Sequence, residues 1–229
     1  MKFIKLLFFL SALSVGMLSA QKYSIEAGFI SPKQSGKYFS TNYFNGVKLG
    51  VNAEFELKNN FSLLTGVLYD VVYLNKVQKY ALGDEDADDQ DSIVYKTYNH
   101  SIDIPIRLAY SFRFWKDFRV FGFAGPNINI GIAQPRKTFV SLSGNNLDIV
   151  KDPLTGETYE SGTMTETEDL YKSALIRRIN LQIGAGGGIQ WKNYQLRGGY
   201  DFGINSINII DTSKLMHQSG WYVSLVYQF

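Results

Sequence analysis

Apolar and polar residues alternate with a period of two along most of the chain after residue 20. The pattern is clearest from 45 to 57, where the odd-numbered positions from Val47 to Leu57 are apolar and the even-numbered ones, such as Lys48, are polar or glycine. A helix would spread these apolar side chains around its circumference, whereas neighbouring side chains of a strand point to opposite sides. The alternation therefore predicts β-strands.

Eight segments show this alternation, at residues 23–29, 45–57, 61–73, 98–113, 118–132, 178–191, 194–204 and 221–229. In the fifth segment the phase is ambiguous, because Phe121 and Phe123 compete with Val120 and Ala124 for the apolar face.

The connections between these segments alternate in length. Short turns are predicted near 58–60, 115–117 and 191–193, and long polar loops at about 31–44, 75–97, 133–174 and 205–219. This is the layout of bacterial outer-membrane barrels, with turns toward the periplasm and loops outside. We therefore predict an all-β protein, an eight-stranded antiparallel up-and-down transmembrane β-barrel of the bacterial outer membrane with both termini in the periplasm.

The direction of the apolar face separates this prediction from a soluble, lipocalin-like barrel, which turns apolar side chains inward around a ligand. Small residues suit a narrow lumen better than a solvated exterior, and the polar face carries many glycines: Gly28, Gly50, Gly66, Gly184, Gly186, Gly188, Gly199 and Gly203. Aromatic residues near the strand ends on the apolar face match the girdles of membrane barrels. Both features favour an apolar face that points outward.

Charged residues of both signs lie on the polar face. We predict that they form a charge network in the lumen, made up of Glu26, Lys48, Glu54, Glu56, Asp70, Asp103, Arg107, Arg113, Arg119, Arg178, Arg197 and Asp201. Unpaired charges in a confined interior are costly, and acids and bases balance in this set. Because side chains can largely fill an eight-stranded barrel, we expect a plugged lumen without a wide pore.

Both ends of the chain carry signals for export and assembly. Lys2 and Lys5, the apolar run that follows and the small Ala20 predict a secretory signal peptide at residues 1–20, which leaves 21–229 as the barrel domain. The last alternating run resembles the terminal-strand signal read by the outer-membrane assembly machinery. Its predicted members are Trp221, Val223, Leu225, Tyr227 and Phe229.

Composition and motifs give little support for catalysis. The absence of cysteine excludes disulfides, thiolate metal sites and a cysteine nucleophile, and a net charge of +2 argues against a nucleic-acid partner. The acidic run 84–91 begins like a calcium loop, but Asp89 and Tyr95 stand where an EF-hand needs Gly and Glu. Weak calcium binding there is a hypothesis; we predict no catalytic, cofactor or metal site.

The segment Ile102-Asp103-Ile104-Pro105-Ile106-Arg107-Leu108 resembles the PorT-like, porin-family group of outer-membrane barrels, as do the glycine-rich segments at 123–126, 184–188 and 197–203. The resemblance implies a small barrel shaped like OmpX-type proteins and brings no catalytic residues. Some members of the group assist protein secretion or gliding. Pro105 cannot donate a ladder hydrogen bond, so we expect a local bulge there.

The function predicted from the sequence is that of a non-enzymatic barrel acting in envelope integrity or surface interaction through long extracellular loops, whose partner the sequence does not identify. The other expected partners are outer-membrane lipids, lipopolysaccharide and the assembly machinery. Alternatives are a small-solute porin and an accessory component of secretion. A lipid-modifying enzyme would depend on His100 or His217, but Ser101 lies on the opposite face from His100.

Overall fold

The computed structural model describes residues 21–80, 91–141, 150–151, 158–159, 164–210 and 213–229. The predicted signal peptide at 1–20 lies outside these residues. The strands are β1 (Gln21–Gly36), β2 (Phe39–Tyr43), β3 (Asn45–Glu56), β4 (Phe61–Tyr80), β5 (Asp91–Trp115), β6 (Phe118–Ala133), β7 (Pro135–Ser141), β8 (Val150–Lys151), β9 (Thr158–Tyr159), β10 (Met164–Asp169), β11 (Ile179–Trp191), β12 (Tyr194–Gly203) and β13 (Met216–Gln228). None of the described residues belongs to a helix long and apolar enough to cross a membrane.

Eight of these strands close into a ring. Its order is β1, β3, β4, β5, β6, β11, β12 and β13, and every neighbouring pair is antiparallel. The ring closes because β13 pairs with β1 from Ser24–Gln228 to Gly36–Met216. Closure leaves none of these eight strands with an unpaired edge in the body of the barrel. The predicted eight-stranded antiparallel up-and-down barrel is thus confirmed.

The two ends of the barrel differ in their connections. The short turns 57–60, 116–117 and 192–193 lie at one end, together with the first described residue, Gln21, and with Phe229. We call this the turn end and the opposite one the loop end. Asn59, Asn60 and Lys192 adopt positive φ in these turns, a conformation that asparagine tolerates well. All three turns lie where the sequence predicts them.

Strands at the loop end are longer than predicted. β1 continues to Gly36 and β2 folds back beside it, while β4 reaches Tyr80 and pairs with β5 as far as Asp91. β7 and β10 add two further strands beside this upper part of β5. The predicted loops at 31–44, 75–97, 133–174 and 205–219 are therefore partly strand. Burial still alternates in this upper part, but most of the buried side chains there are polar, such as Thr97, Arg136 and Thr138, so the sequence shows no apolar–polar period.

Side chains alternate between a buried inner and an exposed outer face around the ring. The ambiguous phase of β6 is settled by Phe121 and Phe123, which point inward and are 4% and 6% exposed, whereas Val120 faces outward. Gly186 and Gly188 of the neighbouring strand make room for these two rings. A Cβ atom on either glycine would lie 2.6 Å from the ring of Phe123 or Phe121, respectively.

The expectation of a bulge at Pro105 is wrong. The register between β4 and β5 is the same on both sides of it, at Leu68–Asp103 and Thr65–Ile106, although the ladder is interrupted in between. Pro105 also stays in register with β6. The missing donor is accommodated by this short gap in the ladder, without an extra residue. The register shifts of β5 lie elsewhere, after residue 100 and after residue 113.

Candidate functional site

The interior of the barrel holds a cluster of paired charges at its centre. Lys48 of β3 lies opposite Asp70 of β4, and its Nζ atom is 2.5 Å from Asp103 Oδ2 and 3.5 Å from Asp70 Oδ2. Asn129 of β6 donates a second hydrogen bond to Asp103 at 2.7 Å. All four side chains are buried. One ammonium group therefore serves two carboxylates, with a neutral amide as additional donor.

A second ion pair crosses the interior beside this cluster. Arg107 of β5 pairs with Asp201 of β12, and its Nη1 donates to the carbonyl oxygen of Gly125 at 2.6 Å. Gly125 has φ 154°, a region that favours glycine, and a Cβ atom there would lie 2.3 Å from the carbonyl oxygen of Ile106. The backbone of β6 can thus approach β5 closely next to Arg107.

A third group of pairs lies nearer the turn end. Arg119 holds Glu54 with two hydrogen bonds, of 2.7 and 2.9 Å, in the forked geometry that guanidinium and carboxylate groups favour. Gln228 donates to the same carboxylate at 3.2 Å. Glu26 lies 3.5 Å from Arg197 and accepts a hydrogen bond from Asn52 at 2.9 Å. Each enclosed acid is therefore next to a base.

Nine of the twelve residues predicted for the lumen are brought together in these groups: Glu26, Lys48, Glu54, Asp70, Asp103, Arg107, Arg119, Arg197 and Asp201. Three are not. Glu56 is exposed at the turn end beside Lys22, and Arg113 is exposed at the same end. Arg178 lies at the loop end and donates to the carbonyl oxygen of Ile132 at 2.8 Å. All three occupy inward-facing positions in the alternation of their strands. They lie near the strand ends, however, where an inward-facing side chain is not enclosed by the barrel.

Neutral amides, absent from the predicted set, fill much of the remaining space. Asn127 donates to Gln182 at 2.7 Å, and Gln34 donates to Gln218 at 3.0 Å. Two cavities among these layers have volumes of about 30 and about 20 Å³. Each has room for no more than a few water molecules. These asparagines and glutamines alternate with apolar residues along their strands, and this alternation could have predicted that they face the lumen.

An apolar cluster closes over the loop end of the interior. We call it the loop-end cap; its members are Leu170, Tyr171, Ile176, Ile207 and Met216. Tyr171 donates to Asn99 Oδ1 at 3.2 Å, and its ring occupies the place of the missing side chain of Gly131. Burial raises the pKa of Tyr171 to about 12. The sequence analysis missed this cap, four of whose five members fall in the predicted loops 133–174 and 205–219.

The outer face is an apolar surface with aromatic pairs near both ends. Phe61–Tyr110 and Tyr194–Tyr227 lie toward the turn end, with ring centroids 5.1 and 5.2 Å apart. Toward the loop end lie Phe29–Trp221 and Tyr73–Tyr98. The predicted assembly-signal residues are all on this exposed face: Trp221, Val223, Leu225, Tyr227 and Phe229. Aromatic rings at two levels around an apolar belt are typical of membrane interfaces.

The residues considered from the sequence for catalysis or metal binding do not come together in the structure. His100 Nδ1 lies 2.8 Å from the Tyr69 hydroxyl on the outer face, whereas Ser101 is buried on the inner face. Across the described ranges, no three His, Asp or Glu residues are grouped so as to hold a metal ion. Most of the acidic run at 84–91, including Asp84 and Asp89, lies outside the described residues.

An eight-stranded ring with an apolar outer face and a polar interior defines a transmembrane β-barrel. Residues 11–208 match the model of the family described as outer membrane protein beta-barrel domain. The match covers most of the chain, which therefore belongs to this family of bacterial outer-membrane barrels.

Solved structures with a similar course of the chain come from several bacteria. Neisserial surface protein A is 12% identical, with 92% of this chain and 100% of that chain covered and a TM-score of 0.42. Ail, the attachment invasion locus protein of Yersinia pestis, in complex with the heparin analogue sucrose octasulfate, is 13% identical, with 91% and 99% covered and a TM-score of 0.39. The N-terminal barrel domain of Pseudomonas aeruginosa OprF is 9% identical, with 92% and 100% covered and a TM-score of 0.26. No curated protein matches the chain by sequence.

The central cluster predicts a large effect of removing its ammonium group. Lys48→Met leaves Asp70 and Asp103 enclosed without their shared cation, so we expect the free energy of unfolding to fall by about 3–5 kcal/mol. Lys22→Met breaks the exposed pair with Glu56 and should cost no more than about 1 kcal/mol. Urea unfolding of both variants in lipid vesicles measures the difference. Equal effects would contradict the assignment of the central cluster as a structural ion pair.

Proposed function

We propose that this protein is a non-enzymatic outer-membrane barrel with a plugged lumen, which acts in envelope integrity or surface interaction through its loop end. The observation that carries the plugged lumen is the packing of the interior, where the central ion pairs are surrounded by cavities of only about 30 and 20 Å³. The loop-end cap supports it independently, because Tyr171 of this cluster packs against Gly131 and donates to Asn99, which is buried in the interior. Hydrated solutes need a wider and continuous polar path.

The protruding sheet is the part of the molecule that we assign to surface contacts. β4 and β5 pair beyond the level of Tyr73–Tyr98, and β7 and β10 extend this sheet sideways. Among the described strands, β10 is the last in the order of the sheet, so one of its edges has no described neighbour. Extended surfaces on a rigid barrel are where binding function usually resides. Here the loop end is extracellular and both termini are periplasmic.

Lipopolysaccharide and the assembly machinery are the further partners that we propose. Support for the first comes from the aromatic pairs near the loop end, which suit the depth of lipid headgroups. Support for the second comes from the final strand, whose alternate side chains all face outward. The relationship to the PorT-like group stays a prediction from the sequence, as do the porin and secretion alternatives.

The plugged lumen predicts an absence of stable conductance. The purified protein in a planar bilayer should give no reproducible open steps, because the enclosed charges and the loop-end cap block a continuous water path. An unrelated open porin in the same bilayer serves as the positive control. Reproducible conductance steps from the folded, heat-modifiable protein would contradict the plugged lumen and favour the small-solute porin.

The proposed orientation is testable because the chain contains no cysteine. Lys137→Cys places a single thiol on the protruding sheet, and Lys58→Cys places one in a turn at the other end. A membrane-impermeant maleimide added to intact cells should label only the first variant. Labelling of both after the outer membrane is permeabilised is the control. The reverse pattern in intact cells would contradict the orientation.

The proposed surface role predicts that removing the protruding strands abolishes adhesion without unfolding the barrel. Replacing residues 136–168 by a short Gly–Ser turn removes β7 to most of β10 but keeps all eight strands of the ring. We expect this variant to remain heat-modifiable while cell adhesion to a matrix-coated surface falls to the level of a deletion strain. If only the deletion strain becomes sensitive to SDS, the barrel body serves envelope integrity. Unchanged adhesion and detergent survival in both strains would remove the proposed function.

A further inference from the structure

The turn end of the barrel opens into a basic cavity. Its volume is about 420 Å³, within the range of roughly 300–1,000 Å³ typical of small-molecule sites. Its charged lining side chains are Lys22, Arg113, Lys116, Asp117, Arg119 and Lys192. A smaller cavity of about 130 Å³ adjoins it and shares Arg113 and Arg119. Cations thus outnumber acids around this opening.

Two arginines face each other across the ladder in this cavity. Arg113 of β5 is the register partner of Arg119 of β6. Glu54 neutralises Arg119 through two hydrogen bonds, and Glu56 pairs with Lys22. Within the described part of the chain, the guanidinium group of Arg113 has neither an ion pair nor a hydrogen bond. Like charges directly opposite each other destabilise a sheet, and only Arg119 of the two arginines is paired with a carboxylate.

The surrounding groups reinforce the same preference. Lys116 and Lys192 stand on the two turns at the rim, where Asp117 is the only acidic side chain among the residues that line the cavity. Lys192 is held with its Nζ atom 5.2 Å from the ring of Trp191. The inner limit of the cavity is the hydrogen-bonded layer of Glu54, Arg119, Gln190 and Gln228. The cavity is therefore a pocket entered from the turn end.

We propose that this turn-end pocket binds an oxyanion, a phosphate or carboxylate group, with Arg113 as its principal contact and Lys116 and Lys192 as supporting charges. The planar fork of a guanidinium group matches two oxygens of either anion. Such a ligand supplies the negative charge that the facing arginines lack. The site lies at the opposite end from the surface proposed for extracellular contacts, so it is a separate function of the same barrel.

The proposal is tested with the folded protein in an uncharged detergent at low salt. Isothermal titration with inorganic phosphate and, separately, with succinate measures saturable binding. We expect Arg113→Gln to weaken the binding by about tenfold or more, since it removes a forked, charge-assisted contact. Arg113→Lys keeps the charge but loses the fork, so it should retain only part of the affinity. Arg177→Gln removes an exposed arginine at the loop end and is the matched control.

The outcomes separate the sources of the anion. Saturation with phosphate alone identifies a phosphoryl ligand, and saturation with succinate alone identifies a carboxylate ligand. An equal loss in Arg113→Gln and Arg177→Gln would mean diffuse attraction and overturn the site. No saturable heat with either anion up to roughly 10 mM would also overturn it. Heat-modifiability on a detergent gel shows whether each variant is folded.

Discussion

Closure of β13 against β1 is the constraint on which the rest of the structure depends. Once the ladder from Ser24–Gln228 to Gly36–Met216 forms, every strand of the ring has two neighbours and the sheet acquires an inside. Backbone groups are then satisfied without water, as a membrane requires. The same closure confines every second side chain to a narrow interior. Glycines such as Gly186 and Gly188 are needed there because Phe121 and Phe123 occupy the space beside them.

Confinement also decides how the charges are arranged. A charge removed from water is costly unless it is paired and hydrogen-bonded. The groups around Lys48, Arg107 and Arg119 meet this condition with opposite charges, and amides such as Asn129 and Gln228 supply further donors. The enclosed acids outnumber the enclosed bases among the predicted residues, five to four, so these neutral donors are essential. The polar interior is a consequence of closure as much as of any ligand.

The strand segments, the three short turns and the barrel itself were predictable because a period of two is a local signal. The phase of β6 was not, since it depends on glycines in β11 that pack against Phe121 and Phe123. The loop-end strands were not predicted because their buried face carries polar side chains such as Thr97 and Thr138, which removes the apolar–polar alternation. Arg113 and Glu56 were assigned to the lumen by parity, which says which face a residue occupies but not its depth along the axis. The loop-end cap depends on contacts between distant loops.

Depth along the axis explains why the two ends of this barrel differ. At the loop end the cap packs buried apolar side chains together, and the guanidinium group of the exposed Arg178 donates to the carbonyl oxygen of Ile132. At the turn end water enters, so the desolvation penalty that enforces pairing deeper inside is small. An arginine facing another arginine is tolerable only in such a place, and Arg113 occupies it. The groups that remain available to bind a ligand or partner therefore lie at the two ends of the barrel, while the charges at its centre are neutralised by neighbouring side chains.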